Sequence, residues 1–173
     1  MALTLLIGGA RSGKSRLGAE LVSRQEAPVV VIATAEPRDE EMASRIERHR
    51  SQRPATWTTV EEAIDLERRL RETPDGSAVL VDCLTLWTSN LIEQELTDDE
   101  IEGRASVAAE AAARHTGAVV AVTNEVGSGV VPSTPIGRRY ADLLGRVNTV
   151  WAEAAERTLL VVAGKVLPLE SPW

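Results

Sequence analysis

Residues 8–15 read GGARSGKS and match the pattern G-x-x-x-x-G-K-[ST], a phosphate-binding loop built mainly from backbone. Gly8 and Gly13 permit conformations in which N–H groups converge on phosphate oxygens. A helix starting near Ser15 adds the positive end of its dipole. Lys14 is placed to reach the β and γ phosphates, and the Ser15 hydroxyl to ligate Mg²⁺. The alternative is a glycine turn with an incidental lysine. It is disfavoured because an apolar strand pattern precedes the motif and a helical pattern follows it.

Such a loop needs a metal-side carboxylate at the end of a nearby apolar strand, and AVLVDC offers Asp82 there. Capping a following helix is its alternative role. Cys83 beside it reads as a small buried filler, because no activating partner is close in sequence.

A third stretch, RIERHRSQRPATW at 45–57, sets one histidine among four arginines. Met42, Ile46 and His49 are spaced by four and three, so His49 continues an apolar stripe, with Arg45 and Arg48 on another face. That spacing alone favours a structural histidine. Arg48, Arg50 and Arg53 change the balance, since an acidic chain gathers positive charge only for a local purpose such as holding an anion. Their field favours neutral imidazole, a form able to act as nucleophile on a bound phosphate, while the helix C-terminus pulls the other way. His115, at the end of an alanine-rich helix, is expected to do ordinary helix-end chemistry. Trp57, Trp87, Trp151 and Trp173 read mostly as core in a chain without phenylalanine.

These groups need a scaffold. The chain of 173 residues is 43% hydrophobic and 26% charged, which predicts a single domain over 1–173 with a full core. The formal charge of −7 argues against nucleic acid or an anionic membrane as partner. One cysteine suits a reducing compartment. The N-terminal apolar run is too short for a secretion signal or a membrane span, so a cytoplasmic location is expected, without stable membrane insertion.

Apolar runs at 3–7, 28–34, 77–83, 117–123 and 157–164 lack polar alternation and predict strands covered on both faces. Stretches at 15–25, 39–50, 61–72, 96–115 and 136–156 carry helical periodicity, with Thr97 or Asp98 as a cap for the fourth. The alternation predicts an α/β layered domain with a mostly parallel sheet. The segment 124–137 is the longest loop candidate, and loops of that length tend to be functional.

Taken together, GGARSGKS, IAT, DEEMASRIERHRSQRPATWTTVE, VDCLTLWTSNL, TNEVGSGVVP and GRVN resemble, in order, the bifunctional adenosylcobinamide kinase/adenosylcobinamide-phosphate guanylyltransferase family of cobalamin biosynthesis. The resemblance implies a RecA-like P-loop NTPase fold in which one histidine carries GMP covalently, and His49 matches it. It also implies nucleotide contacts from Gly8, Gly9, Ala10, Arg11, Ser12, Gly13, Lys14 and Ser15, from Ala33, Thr34 and Ala35, and from Arg50, Ser51, Gln52, Arg53, Glu61 and Asp82. GTP and ATP, adenosylcobinamide and its phosphate are the implied substrates, Mg²⁺ the implied metal and a homo-oligomer, commonly a trimer, the implied assembly.

Two positions depart from the family pattern. Thr149 follows GRVN where glutamine is usual, and Ala141 stands where an arginine is common. Both bear on corrinoid contacts rather than nucleotide chemistry, and the loop at 124–137 is the expected lid.

Two other readings use the same residues. A simple small-molecule kinase would leave His49 structural. A regulatory nucleotide switch would need the guanine-reading pattern N-K-x-D, which is absent.

Overall fold

The computed structural model describes residues 3–171. Seven strands form one sheet in the order β3-β2-β4-β5-β1-β6-β7. They are β1 (Leu3–Gly8), β2 (Val29–Ala33), β3 (Thr58–Glu61), β4 (Ala78–Asp82), β5 (Val119–Asn124), β6 (Arg157–Val162) and β7 (Lys165–Leu169). The first six pair in parallel, and β7 returns antiparallel to β6. The helices are α1 (Lys14–Ser23), α2 (Glu40–Ser51), α3 (Leu66–Glu72), α4 (Leu84–Glu93), α5 (Asp98–Arg114) and α6 (Pro135–Ala154).

Apolar side chains on both faces of β1, β4 and β5 divide the core in two. One part joins Leu5, Val81 and Ala121 to Leu66, Trp87, Ile101, Val147 and Trp151 of α3 to α6. The other joins Leu6, Val31, Leu80 and Val122 to Val22 of α1. Strands covered in this way lose their polar alternation, which is why the apolar runs predict them.

The expected α/β sheet is present, with three differences in its elements. The stretch 61–72 is not one helix. Residues 58–61 pair with the open edge of β2, and α3 starts only after Glu62 has accepted the N–H groups of Ile64 and Asp65. Edge pairing outweighs the local helical spacing.

Helical periodicity does not pick out α4, because Leu84, Thr85, Trp87, Thr88, Asn90, Leu91 and Ile92 are all buried and leave no polar face. The exposed strand β7 contains Pro168, a residue tolerated at a sheet edge but read in a sequence as a break.

Other expectations hold. Thr97 caps α5 in a reciprocal box with Glu100. The loop after β5 runs to Thr134, which caps α6. Trp87 and Trp151 are core and Trp57 packs beside it, whereas Trp173 lies outside the described residues. His115 corrects its reading. It is buried, and its Nε2 donates to the Ser77 carbonyl at 3.0 Å, so it ties the end of α5 to the start of β4.

Candidate active site

The phosphate-loop motif spans the step from β1 to α1. Gly8 ends a buried strand, where a Cβ would lie 2.4 Å from the Val161 carbonyl oxygen. Gly13 adopts φ 100°, a region that a side chain strongly disfavours. Gly9, Ala10 and Arg11 are exposed and Ser12 is buried. Ser12 N–H donates to the Gly9 carbonyl at 3.3 Å, and Lys14 Nζ donates to the same oxygen at 2.9 Å. Burial lowers the Lys14 ammonium from its ordinary value; Arg45 acts in the same sense, against Cys83 and Asp82.

Across the mouth of this loop a cleft is lined by Lys14, Ser15, Ala33, Ala35, His49, Arg50, Arg53, Glu61 and Asp82. Residues from four expected stretches thus meet in one place. One strand, β5, separates the loop strand β1 from the Asp82 strand β4.

Asp82 sits at the cleft floor. Its Oδ2 accepts from Arg53 Nη2 at 3.1 Å and lies 3.6 Å from His49 Nδ1. Burial pushes this carboxyl up, but the facing imidazole and guanidinium outweigh burial and hold it below the ordinary carboxylate value. The group is therefore an anion in the fold. Burial pushes the Cys83 thiol up and Asp82 adds to the effect, so Cys83 is not a thiolate nucleophile.

The stripe of Met42, Ile46 and His49 faces this cleft rather than the core. No residue of α2 is buried, and all three line the pocket. The amphipathic pattern marks a wall of the site. Arg45 also lines the cleft, contrary to the expectation that it turns away, while Arg48 is exposed outside it.

Some expected residues stand back. Thr34 is fully buried, and its Oγ1 donates to the Cys83 carbonyl at 2.6 Å and accepts from the Cys83 N–H at 2.8 Å. It therefore stitches β2 to the end of β4. Ser51 and Gln52 are exposed at the end of α2. Glu61, although it lines the cleft, is exposed and lies 3.9 Å from Arg50.

Sequence reasoning missed Thr59, Leu86, Val122 and Asn124 as lining residues. The place of Asn124 and Val122 at a strand's carboxyl end was the available signal.

The short motifs are joined by hydrogen bonds. Asn148 of GRVN accepts from Thr123 Oγ1 at 2.7 Å and donates to the Asn124 carbonyl at 3.0 Å. Asn124 N–H donates to Thr85 Oγ1 at 2.8 Å, and Tyr140 donates to the Thr85 carbonyl at 3.3 Å. Burial pushes the Tyr140 hydroxyl up to about 12, so it stays a donor at neutral pH. The unusual Thr149 is exposed and bonds back to Gly145 of its own helix.

The chain matches the model of the family described as cobinamide kinase / cobinamide phosphate guanyltransferase over residues 4–169. It is 44% identical over 169 residues to the bifunctional adenosylcobalamin biosynthesis protein CobP of Pseudomonas aeruginosa, covering 96% of each chain. To the bifunctional adenosylcobalamin biosynthesis protein CobU of Escherichia coli it is 37% identical over 175 residues, covering 94% of this chain and 96% of that one. The fold is similar to PH0250 from Pyrococcus horikoshii, with TM-score 0.61 and 11% identity over 99% of this chain and 87% of that one. It is also similar to the RadB recombinase, with TM-score 0.52 and 17% identity over 92% and 73%. Among the described residues no helix is long and apolar enough to cross a membrane.

Proposed function

The chain belongs to the cobinamide kinase / cobinamide phosphate guanyltransferase family, and from that premise we propose that one cleft serves both reactions, with His49 as the covalent carrier of GMP. The observation that carries this reading is the convergence of Lys14, Ser15, His49 and Asp82 on a single pocket.

In guanylyl transfer the His49 imidazole nitrogen attacks the α-phosphorus of GTP. A nitrogen–phosphorus bond forms, the bond to the bridging oxygen breaks, and pyrophosphate leaves with the electron pair. Asp82, facing Nδ1, orients the ring so that Nε2 presents its lone pair, and Lys14 balances charge on the departing phosphates. A phosphate oxygen of adenosylcobinamide phosphate then attacks the same phosphorus and displaces the histidine nitrogen, giving adenosylcobinamide-GDP. In the kinase step the loop holds ATP or GTP; the substrate hydroxyl oxygen attacks the terminal phosphorus, the bond to the bridging oxygen breaks, ADP or GDP leaves with the electron pair, and the hydroxyl proton leaves to a base or water. Asp82 and Glu125 are the candidate bases.

Magnesium fits the residues present. Mg²⁺ takes hard oxygen ligands, few of them from protein and several from phosphate and water. The Ser15 hydroxyl and the ionised Asp82 line the same cleft, and among the described residues no larger cluster of acidic, histidine or cysteine ligands occurs. When bound, the metal would supply charge neutralisation on the phosphates.

The nucleotide contacts assigned by resemblance belong to this proposal, including those of Gly8 to Ser12, Thr34, Ser51 and Gln52. So do one domain over 1–173, a cytoplasmic location, a homotrimer, and a corrinoid side formed by the loop before α6, where Val130 and Val131 are exposed.

Incubation with α-³²P-labelled GTP and Mg²⁺, then denaturation, tests the carrier role. A phosphoramidate label that survives alkali and is lost in acid is expected, and none in His49→Ala. Retained label in that variant, or no label in the parent, rejects it.

A further inference from the structure

The hairpin of β6 and β7 turns at Ala163 and Gly164, with φ 50° and 73°. The tip touches the phosphate loop, since Gly164 N–H donates to the Ser12 carbonyl at 2.8 Å. A Cβ on Gly13 would lie 3.4 Å from Gly164 Cα, and one on Gly8 would lie 2.4 Å from the Val161 oxygen. The hairpin therefore backs the loop at both of its glycine ends.

In a trans peptide the carbonyl of one residue and the N–H of the next point in opposite directions. Holding the Ser12 carbonyl against the hairpin therefore turns the Gly13 N–H away from it. Glycine populates both signs of φ with little preference, so Gly13 itself offers little resistance to a flip of that peptide. The hairpin donor favours one orientation over the other.

We propose that Gly164 is a positioning residue for nucleotide phosphate: its N–H holds the Ser12–Gly13 peptide so that the Gly13 N–H is offered to the anion. This rests on the reading of residues 8–15 as the nucleotide site. The contact is to phosphate, so it acts alike on any triphosphate, with or without a base.

The test uses the full chain and two probes, GTP and inorganic tripolyphosphate. Gly164→Pro removes the donor and cannot adopt the positive φ. Gly164→Asn keeps the donor and tolerates the left-handed region, and the added Cβ would meet only the Arg16 guanidinium at 3.8 Å. Replacing the Gly164 amide N–H by an ester oxygen, through ligation of a synthetic C-terminal segment, removes the donor while leaving every side chain unchanged, and guards against misfolding of the proline variant.

The ester variant should bind both probes about tenfold more weakly, with its ligand-free melting temperature lower by no more than about six degrees and kcat little changed. Gly164→Asn should bind within about twofold. Equal affinity of ester variant and parent overturns the proposal, as does weakening for GTP but not for tripolyphosphate. A parent that binds neither probe overturns the nucleotide-site reading itself.

Discussion

The Nδ1 atom of His49 faces the Oδ2 oxygen of Asp82 across 3.6 Å, from the last turn of α2 to the end of β4. That oxygen also accepts from Arg53, so a single carboxylate sets the orientation of both the imidazole and the guanidinium.

Replacing His49 by alanine should separate the two activities. Guanylyl transfer should fall by roughly 10³-fold or more, because the proposed nucleophile is gone. Phosphoryl transfer should stay within about tenfold of the parent, because Lys14 and Ser15 remain. Lys14→Ala should depress both. Separate assays of phosphorylated corrinoid and released pyrophosphate would check this, and equal loss of both activities in His49→Ala would contradict it.

Arg53→Ala removes the nearest partner of Asp82 and leaves a mostly buried carboxylate under-compensated. The expected cost is about 3 kcal/mol, or a melting temperature lower by roughly 6 to 12 degrees for a chain of this size. Arg53→Lys keeps the charge but loses the geometry that also reaches Thr59 Oγ1 at 3.4 Å, so it should recover only part of the loss. Thermal unfolding of the three proteins measures the difference.

Acid sensitivity should trace to the same carboxylate. Because the folded value of Asp82 lies below the ordinary 3.8, its ionised form is favoured by folding. That stabilisation is complete above the unfolded value and disappears as pH falls through the lower folded one. The stability gap between parent and Asp82→Asn should be constant at neutral and mildly acidic pH and shrink only below about pH 4. A gap independent of pH would show that packing, not charge, accounts for it.

Asn90 offers a test remote from the chemistry. Its amide donates to the carbonyls of Thr34 at 2.8 Å and Ala63 at 3.0 Å, and its Oδ1 accepts from Arg38 at 2.7 Å. Arg38, paired also with Glu36 and Glu93, immediately precedes the α2 cap Asp39. Asn90→Ala strands two carbonyls and should cost roughly 2 to 4 kcal/mol. It should also raise KM for nucleotide, since α2 has no buried residue of its own to hold it in place. Chemical denaturation and nucleotide kinetics together check both effects.

Much was legible in order along the chain. GGARSGKS announces itself because its chemistry lies in consecutive backbone groups, and the five apolar runs predict five strands because burial on both faces leaves a compositional trace. Less legible were α4 and β7: uniform burial erases a helical stripe, and exposure with Pro168 hides an edge strand. Met42, Ile46 and His49 show the limit of periodicity, which reveals that a face is apolar but not what it faces.

The amino-acid sequence by itself determined the loop motif, the α/β class and the candidate side chains for the site, since each is encoded in residues close along the chain. Only the tertiary structure decided which charges share an oxygen, that α2 walls a cleft instead of the core, and that Gly164 reaches Ser12. Those contacts join segments far apart in sequence, and sheet order and hairpin return, not local preference, bring them together.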